Sequence, residues 1–242
     1  MTLLPDRPPV LLAVFAHPDD ETFRCGGLLA LLAGRGVEVN LLSVTRGEAG
    51  SCGDPPLCKA EELAEVRERE LQCACSALGI LPPTFLDYPD GNLAEADEEE
   101  AVARITAVAR ELRPQVLLTW PADGLSGHPD HKAVSRWTSQ VFEKMAKDAE
   151  APDALYHLAV PQSVASVLNL TELHAIPDEE ISLTVDVMPV WKQKRTAIRC
   201  HRSQASGSPI LFAPEEKQRF FFGKEYFKRA YTRGRDDFFC AL

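Results

Sequence analysis

The sequence predicts a Rossmann-like α/β fold, a doubly wound and mostly parallel sheet in a single domain. A continuous apolar run of strand length at residues 10–16 reads as a strand buried on both faces, and residues 116–120 read as a further buried strand. Helix-length segments closed by Gly79 or by Arg113-Pro114 alternate with them, the pattern of βαβ units. The chain has 242 residues, 45% of them hydrophobic, which is enough for one large core.

Taken in order, the run at 10–16 follows a Pro-rich start and leads straight into His17-Pro18-Asp19-Asp20-Glu21. Residues 26–36 carry leucines between glycines and read as a short helix returning the chain to a strand at 37–44. A loop with Gly47, Gly50 and Gly53 precedes a helix over about 59–78 that Gly79 stops. A short strand at 84–88 and a helix near 97–112 follow, and Arg113-Pro114 ends that helix because the residue before proline avoids helical geometry. The second half is less periodic: a helix at about 130–149, strands near 155–160 and 181–187, and a helix near 189–200. The core is expected over about 10–204, with a C-terminal extension over about 205–242.

The net charge of −10 argues against nucleic acid or an anionic membrane as the partner, since both reward clustered Lys and Arg. A small molecule fits better, and a homo-oligomer is compatible with the composition. The run at 10–16 is far short of the roughly 20 residues that span a bilayer and lacks the flanks of a signal peptide, so a cytoplasmic location with no integral membrane segment is expected. Seven cysteines (25, 52, 58, 73, 75, 200 and 240) form no repeating pattern, and most are expected as free thiols. Cys52 and Cys58 match no common zinc spacing, and Cys73 and Cys75 lie on opposite sides of a helix.

In an open parallel sheet, ligands bind outside the carboxyl ends of the strands, near the point where strand order reverses. Two acid and histidine clusters fall at such ends. One is His17 to Glu21; the other is His128-Pro129-Asp130-His131, after the strand ending at Trp120. A catalytic zinc takes three ligands from His and carboxylate and keeps a fourth position for water. Adjacent Asp19 and Asp20 in a tight turn cannot both face the ion, which leaves one carboxylate to act as a general base. His128 and His131 are three apart, so at a helix start one can bind metal while the other meets the substrate.

Singly, each cluster is more often a charged helix start or a surface histidine pair. Together with Thr45-Arg46-Gly47-Glu48-Ala49-Gly50 and the Gly-Gly pair after Glu21, they resemble the signatures of the LmbE-like (PIG-L) de-N-acetylases. The resemblance runs over residues 10–204 and includes Arg67-x-x-Glu70-Leu71, Asp90-Gly91 and His201-x-Ser203-Gln204. That family includes deacetylases of N-acetylglucosaminyl-phosphatidylinositol and of the mycothiol and bacillithiol precursors.

The resemblance implies a hydrolase that removes acetyl from an N-acetylglucosamine conjugate and uses Zn2+ or another divalent ion. It implies His17, Asp20 and His131 as metal ligands and Asp19 as general base. It makes His128 the oxyanion or leaving-group partner, oriented by Asp130, which would raise its pKa. Arg67, Asp90 and Glu48 would contact substrate. Ser126 stands where mycothiol-pathway relatives have a tyrosine, so any oxyanion assistance from that position comes from elsewhere. The alternatives are a zinc amidase acting on another amide such as a thiol conjugate, a dinucleotide-dependent oxidoreductase, and a non-catalytic sugar-binding scaffold. The oxidoreductase lacks a G-x-G-x-x-G turn after the first strand. Retention of every expected ligand argues against the scaffold. His157 and His174, among apolar residues, are expected to pack, and His201 either lines the site or supports a subunit contact.

Overall fold

A computed structural model describes residues 7–234 together with Phe238 and Phe239. Cys240 and part of the expected C-terminal extension lie outside the described residues. The named elements are β1 (Val10–Phe15), α1 (Asp20–Gly34), β2 (Glu38–Ser43), α2 (Leu63–Leu78), β3 (Thr84–Phe85), α3 (Glu98–Leu112), β4 (Val116–Thr119) and α4 (Pro129–Lys144). They continue with β5 (Ala154–Ala159), α5 (Gln162–Leu168), β6 (Leu183–Asp186), α6 (Trp191–Cys200), α7 (Glu215–Phe222) and β7 (Lys224–Thr232).

The strands form one sheet in the order β3-β2-β1-β4-β5-β7-β6. The first five run parallel, and β7 pairs antiparallel with both β5 and β6. Side chains alternate across a strand, so β1 serves two cores at once. Leu11, Ala13 and Phe15 meet residues of α1, α2 and α6, whereas Leu12, Val14 and Ala16 meet residues of α3 and α4. That double burial is why residues 10–16 are apolar at every position.

The helix ends follow local chemistry. Asp97 Oδ1 accepts the Glu100 amide at 3.0 Å to start α3, and Gly79 ends α2 at φ 75°, where a side chain would be strained. The first helix departs from expectation: it begins at Asp20, and Gly26 and Gly27 lie inside it. A close approach explains the glycine. A Cβ on Gly27 would lie 2.5 Å from a Val187 methyl. The Glu225 carboxylate of β7 also accepts the Gly27 and Leu28 amides, each at 2.7 Å, and the Lys194 ammonium at 2.7 Å. Lys194 and Glu225 are fully buried, and each satisfies the other.

Two helices and one strand were not expected from the sequence: α5, α7 and β7. The cysteines also differ in one respect. Cys73 on α2 is bridged to Cys200 at the end of α6, while Cys25, Cys52, Cys58 and Cys75 are free thiols. Among the described residues, no helix is long and apolar enough to cross a membrane.

Candidate metal centre

Strand order reverses between β1 and β4, and the segments leaving their carboxyl ends meet there. His17 follows β1 after one residue, Ala16, Asp20 opens α1, and His131 lies in the first turn of α4, whose N-cap is His128 and whose first residue is Pro129. His17 Nδ1 is 3.7 Å from Asp20 Oδ2, and His131 Nε2 is 3.5 Å from Asp20 Oδ1. Four ligands around a tetrahedral zinc at about 2.0–2.1 Å stand roughly 3.4 Å from one another, near these two separations, and one ligand atom from each of the three side chains lies within 4.8 Å of the other two.

The outer nitrogen of each imidazole is also held, which fixes the ring and aims the other nitrogen at the space between the three side chains. His131 Nδ1 is 3.2 Å from the Gly124 carbonyl oxygen. His17 Nε2 is 3.2 Å from Asp130 Oδ2 and 3.0 Å from Asp90 Oδ1. Trp120, the residue after β4, stacks on His131 with ring centroids 3.9 Å apart and donates Nε1–H to Asp20 Oδ2 at 3.2 Å. Sequence reasoning did not single Trp120 out; its place at a strand end was the available signal.

Charge is concentrated here. Burial opposes the charged form of His17, but hydrogen bonds to Asp130 and Asp90 raise its pKa to about 10. Burial likewise works against ionised Asp20, yet His131 and His17 hold its carboxyl well below the usual range. A cation held in this position would take over the role of those protons.

Asp19 stands apart from the ligand set. It occupies a left-handed conformation, φ 107°, which a non-glycine residue holds only when its surroundings impose it. Its carboxylate is 3.1 Å from Arg67 Nη2. Arg67 is buried and also donates to the Pro18 and Gly47 carbonyl oxygens, the latter at 2.8 Å. Burial pushes the Asp19 pKa up to about 6, while Arg67 pulls against it. Gly47 and Gly50 leave room for this arginine, since a Cβ on either would lie within 2.6 Å of Nη1.

Asp130 differs from expectation. Its side chain faces His17, not His128: Oδ2 accepts the Gly91 amide at 2.8 Å beside His17 Nε2, and Oδ1 accepts the Leu93 amide at 3.1 Å. The Asp130 backbone N–H, not its carboxylate, donates to His128 Nδ1 at 3.2 Å. His128 is therefore held as the neutral tautomer with its proton on Nε2. Its pKa is lowered rather than raised, because burial and the neighbouring His131 and His17 outweigh the pull of Asp130. His17, His128 and Asp130 form a second group with metal-ligand spacing, but three N–H contacts already occupy Asp130.

The expected substrate contacts have structural partners. Asp90 accepts the Ala49 amide at 2.9 Å, and Glu48 Oε1 accepts the Asp90 amide at 2.9 Å, which ties the signature loop to the His17 side of the site. Ser126 is exposed and makes a backbone turn to Gly124. His201 neither joins the ligand set nor sits on the surface; it is buried against Glu21. His157 is half-buried on β5, and the more exposed His174 does have an acidic neighbour, Asp123, at 3.5 Å.

Comparison with known proteins agrees with this architecture. The sequence profile of the GlcNAc-PI de-N-acetylase (PIG-L) family matches residues 12–142. A 1D-myo-inositol 2-acetamido-2-deoxy-alpha-D-glucopyranoside deacetylase of Salinispora arenicola is 32% identical, over 95% of this chain and 87% of the relative. A conserved protein of Thermus thermophilus superposes with a TM-score of 0.68 at 26% identity, covering 93% of this chain and 96% of that one. The 4-carboxy-2-hydroxymuconate hydratase of Pseudomonas putida has the same fold, TM-score 0.69, at 18% identity and 94% and 98% coverage. The fold thus hosts more than one chemistry, and it is the match of sequence that assigns kinship. By that match, which spans more than half of the chain, the protein belongs to the GlcNAc-PI de-N-acetylase family.

Proposed function

We propose that this chain is a metal-dependent deacetylase that removes the acetyl group from an N-acetylglucosamine conjugate, with His17, Asp20 and His131 as ligands of zinc or another divalent ion. The observation that carries the reading is the convergence of those three side chains, whose ligand atoms all lie within 4.8 Å of one another, with a carboxylate of raised pKa, Asp19, beside them and outside the set. The nitrogen and oxygen donors suit zinc, and three protein ligands leave a position open. A divalent ion bound there would acidify water and polarise an amide carbonyl.

The chain's own residues do the rest. Asp130 and Asp90 hold His17 Nε2, so Nδ1 faces the ligand set. Arg67 holds Asp19, which takes a proton from the attacking water and delivers it to the departing amine. His128, neutral with its proton on Nε2, donates a hydrogen bond to the oxygen that gains charge as the carbonyl is attacked. The curated relative is named for an inositol-linked acetamido sugar, which supports a small amino-sugar conjugate as the substrate class.

The test joins metal analysis to acetate release. The purified protein is expected to bind about one divalent ion per chain and to release acetate from N-acetylglucosaminyl-inositol. His17→Ala and His131→Ala are expected to lose the ion. Asp19→Asn is expected to keep it while losing about 10²-fold or more in turnover. Acetate release from simple amides but from no N-acetylglucosamine conjugate would overturn the substrate class, and full metal content in His131→Ala would overturn the ligand set.

A further inference from the structure

A carboxylate bridges His201, far along the chain, to the backbone of Asp19. His201 Nε2 is 3.0 Å from Glu21 Oε1 and 3.2 Å from Thr22 Oγ1. The other oxygen of Glu21 accepts the Asp19 amide at 3.0 Å. Glu21 and His201 are both about 1% exposed.

Asp19 caps α1, and an Asp at that position ordinarily turns its side chain back onto the first amides of its own helix. Here it makes no such bond. Its backbone stands at φ 107°, its amide is taken by Glu21, and its carboxylate is released toward Arg67. The Glu21 contact thus supports the strained conformation that presents the base.

His201 is in turn fixed from both sides. Cys200 before it is bridged to Cys73, and Ser203 after it donates its amide and hydroxyl to Glu70 at 2.8 and 2.6 Å. His201 Nδ1 is buried without a partner. Leaving a ring nitrogen unsatisfied is costly, and an apolar side chain would pack here without that cost, so the use of this residue lies in its Nε2–H.

We propose that His201, acting through Glu21, is a positioning residue that sets the orientation of the base Asp19. The inference rests on the role given to Asp19 above. The test uses the full-length, zinc-loaded protein with N-acetylglucosaminyl-inositol. His201→Ala is expected to lower kcat about 10- to 100-fold, the scale of a misplaced catalytic group, with zinc content unchanged and KM within about twofold. In an Asp19→Asn background the same substitution is expected to add less than about twofold, because its effect passes through the carboxylate already removed.

His201→Gln, whose amide can still donate to Glu21, is expected to recover most of the activity. The shorter His201→Asn is not, and these two variants keep the test open if the alanine variant fails to fold. The Asp19 amide proton resonance is expected to move in His201→Ala and not in Ser203→Ala. A full 10-fold loss in the Asp19→Asn background, equal activity of the Gln and Asn variants, or an unmoved Asp19 amide would each overturn the proposal. A wild-type protein that releases no acetate would count against the functional reading instead, and the Asp19 resonance alone would then decide this inference.

Discussion

Replacing Gly50 with alanine puts the Arg67–Asp19 contact to a direct test. The added Cβ would lie 2.6 Å from Arg67 Nη1 and 3.0 Å from Gln204 Oε1. Ordinary contact begins near 3.4 Å, so the guanidinium must retreat by about 0.8 Å. Arg67 is only 3% exposed and is tied to Gly47, Pro18 and Asp19, so the movement is not absorbed freely. A retreat of that size takes the 3.1 Å contact with Asp19 past about 3.5 Å, where little hydrogen bonding remains. One lost charge-assisted bond costs about 1.5–3 kcal/mol, which lowers Tm by roughly 3–12 °C in a domain of this size.

The functional effect has a definite sign. In the role proposed for it, Asp19 works as a base only when ionised, so turnover is expected to fall as pH drops through its pKa in the metal-loaded protein. Burial raises that pKa and Arg67 opposes the rise, so withdrawing Arg67 moves the acidic limb to higher pH, by about one unit. The assay is a pH profile of acetate release by the zinc-saturated enzyme, with kcat at neutral pH expected to fall about 10-fold or more. Gly47→Ala collides with the same guanidinium and adds a left-handed alanine at φ 72°, a further cost of about 1–2 kcal/mol. Wild-type kcat and an unmoved acidic limb in Gly50→Ala would refute the reasoning.

Two further predictions concern stability. Glu225→Ala strips the buried Lys194 ammonium and two α1 amides of their acceptor and is expected to cost about 3–5 kcal/mol in urea unfolding, with partial recovery when Lys194→Met is added; a loss under about 1 kcal/mol would show the pair to be dispensable. His157 has its pKa lowered to about 4 by burial and by Lys228. The unfolded chain therefore binds the extra proton first, and stability is expected to fall as pH drops from about 6.5 to about 4 and to level below that. In His157→Gln this window should flatten, and an unchanged slope would remove His157 as its cause.

The parts of the molecule legible in the sequence are those set by neighbouring residues. The strand β1 announces itself because residues buried on both faces are apolar at every position, and β4 nearly so, with Thr119 the one polar residue. The ends of α2 and α3 are written in Gly79, Asp97 and Arg113-Pro114. The candidate ligands could be proposed because His17 and Asp20 sit within a few residues of the end of β1 and His131 opens the helix that follows β4. What could not be read depends on partners far along the chain. The partner of Glu21 is His201, and that of the Gly27 amide is Glu225. Asp130 beside His128 in sequence suggested a pair, but the loop carrying Gly91 and Leu93 draws the carboxylate to His17. The aromatic and basic segment at 224–232 has no clean alternation, since β7 is held by β5 on one side and β6 on the other.

The position of β7 has a consequence for how the molecule matures. It is the last strand among the described residues, yet it lies between β5 and β6, and among the named strands β6 pairs with no other. It also carries Glu225, the acceptor for two amides of the helix that begins at Asp20. A chain emerging from the ribosome N-terminus first can assemble β1 to β5 early, but β6 waits as a lone ribbon until β7 arrives to dock on both sides. Until then the helix that supplies Asp20 has two interior amides without this acceptor. Vectorial synthesis therefore delays the final setting of the candidate metal centre until β7 has been made, and a nascent chain stalled before Lys224 would display an open sheet edge to which other extended segments can add.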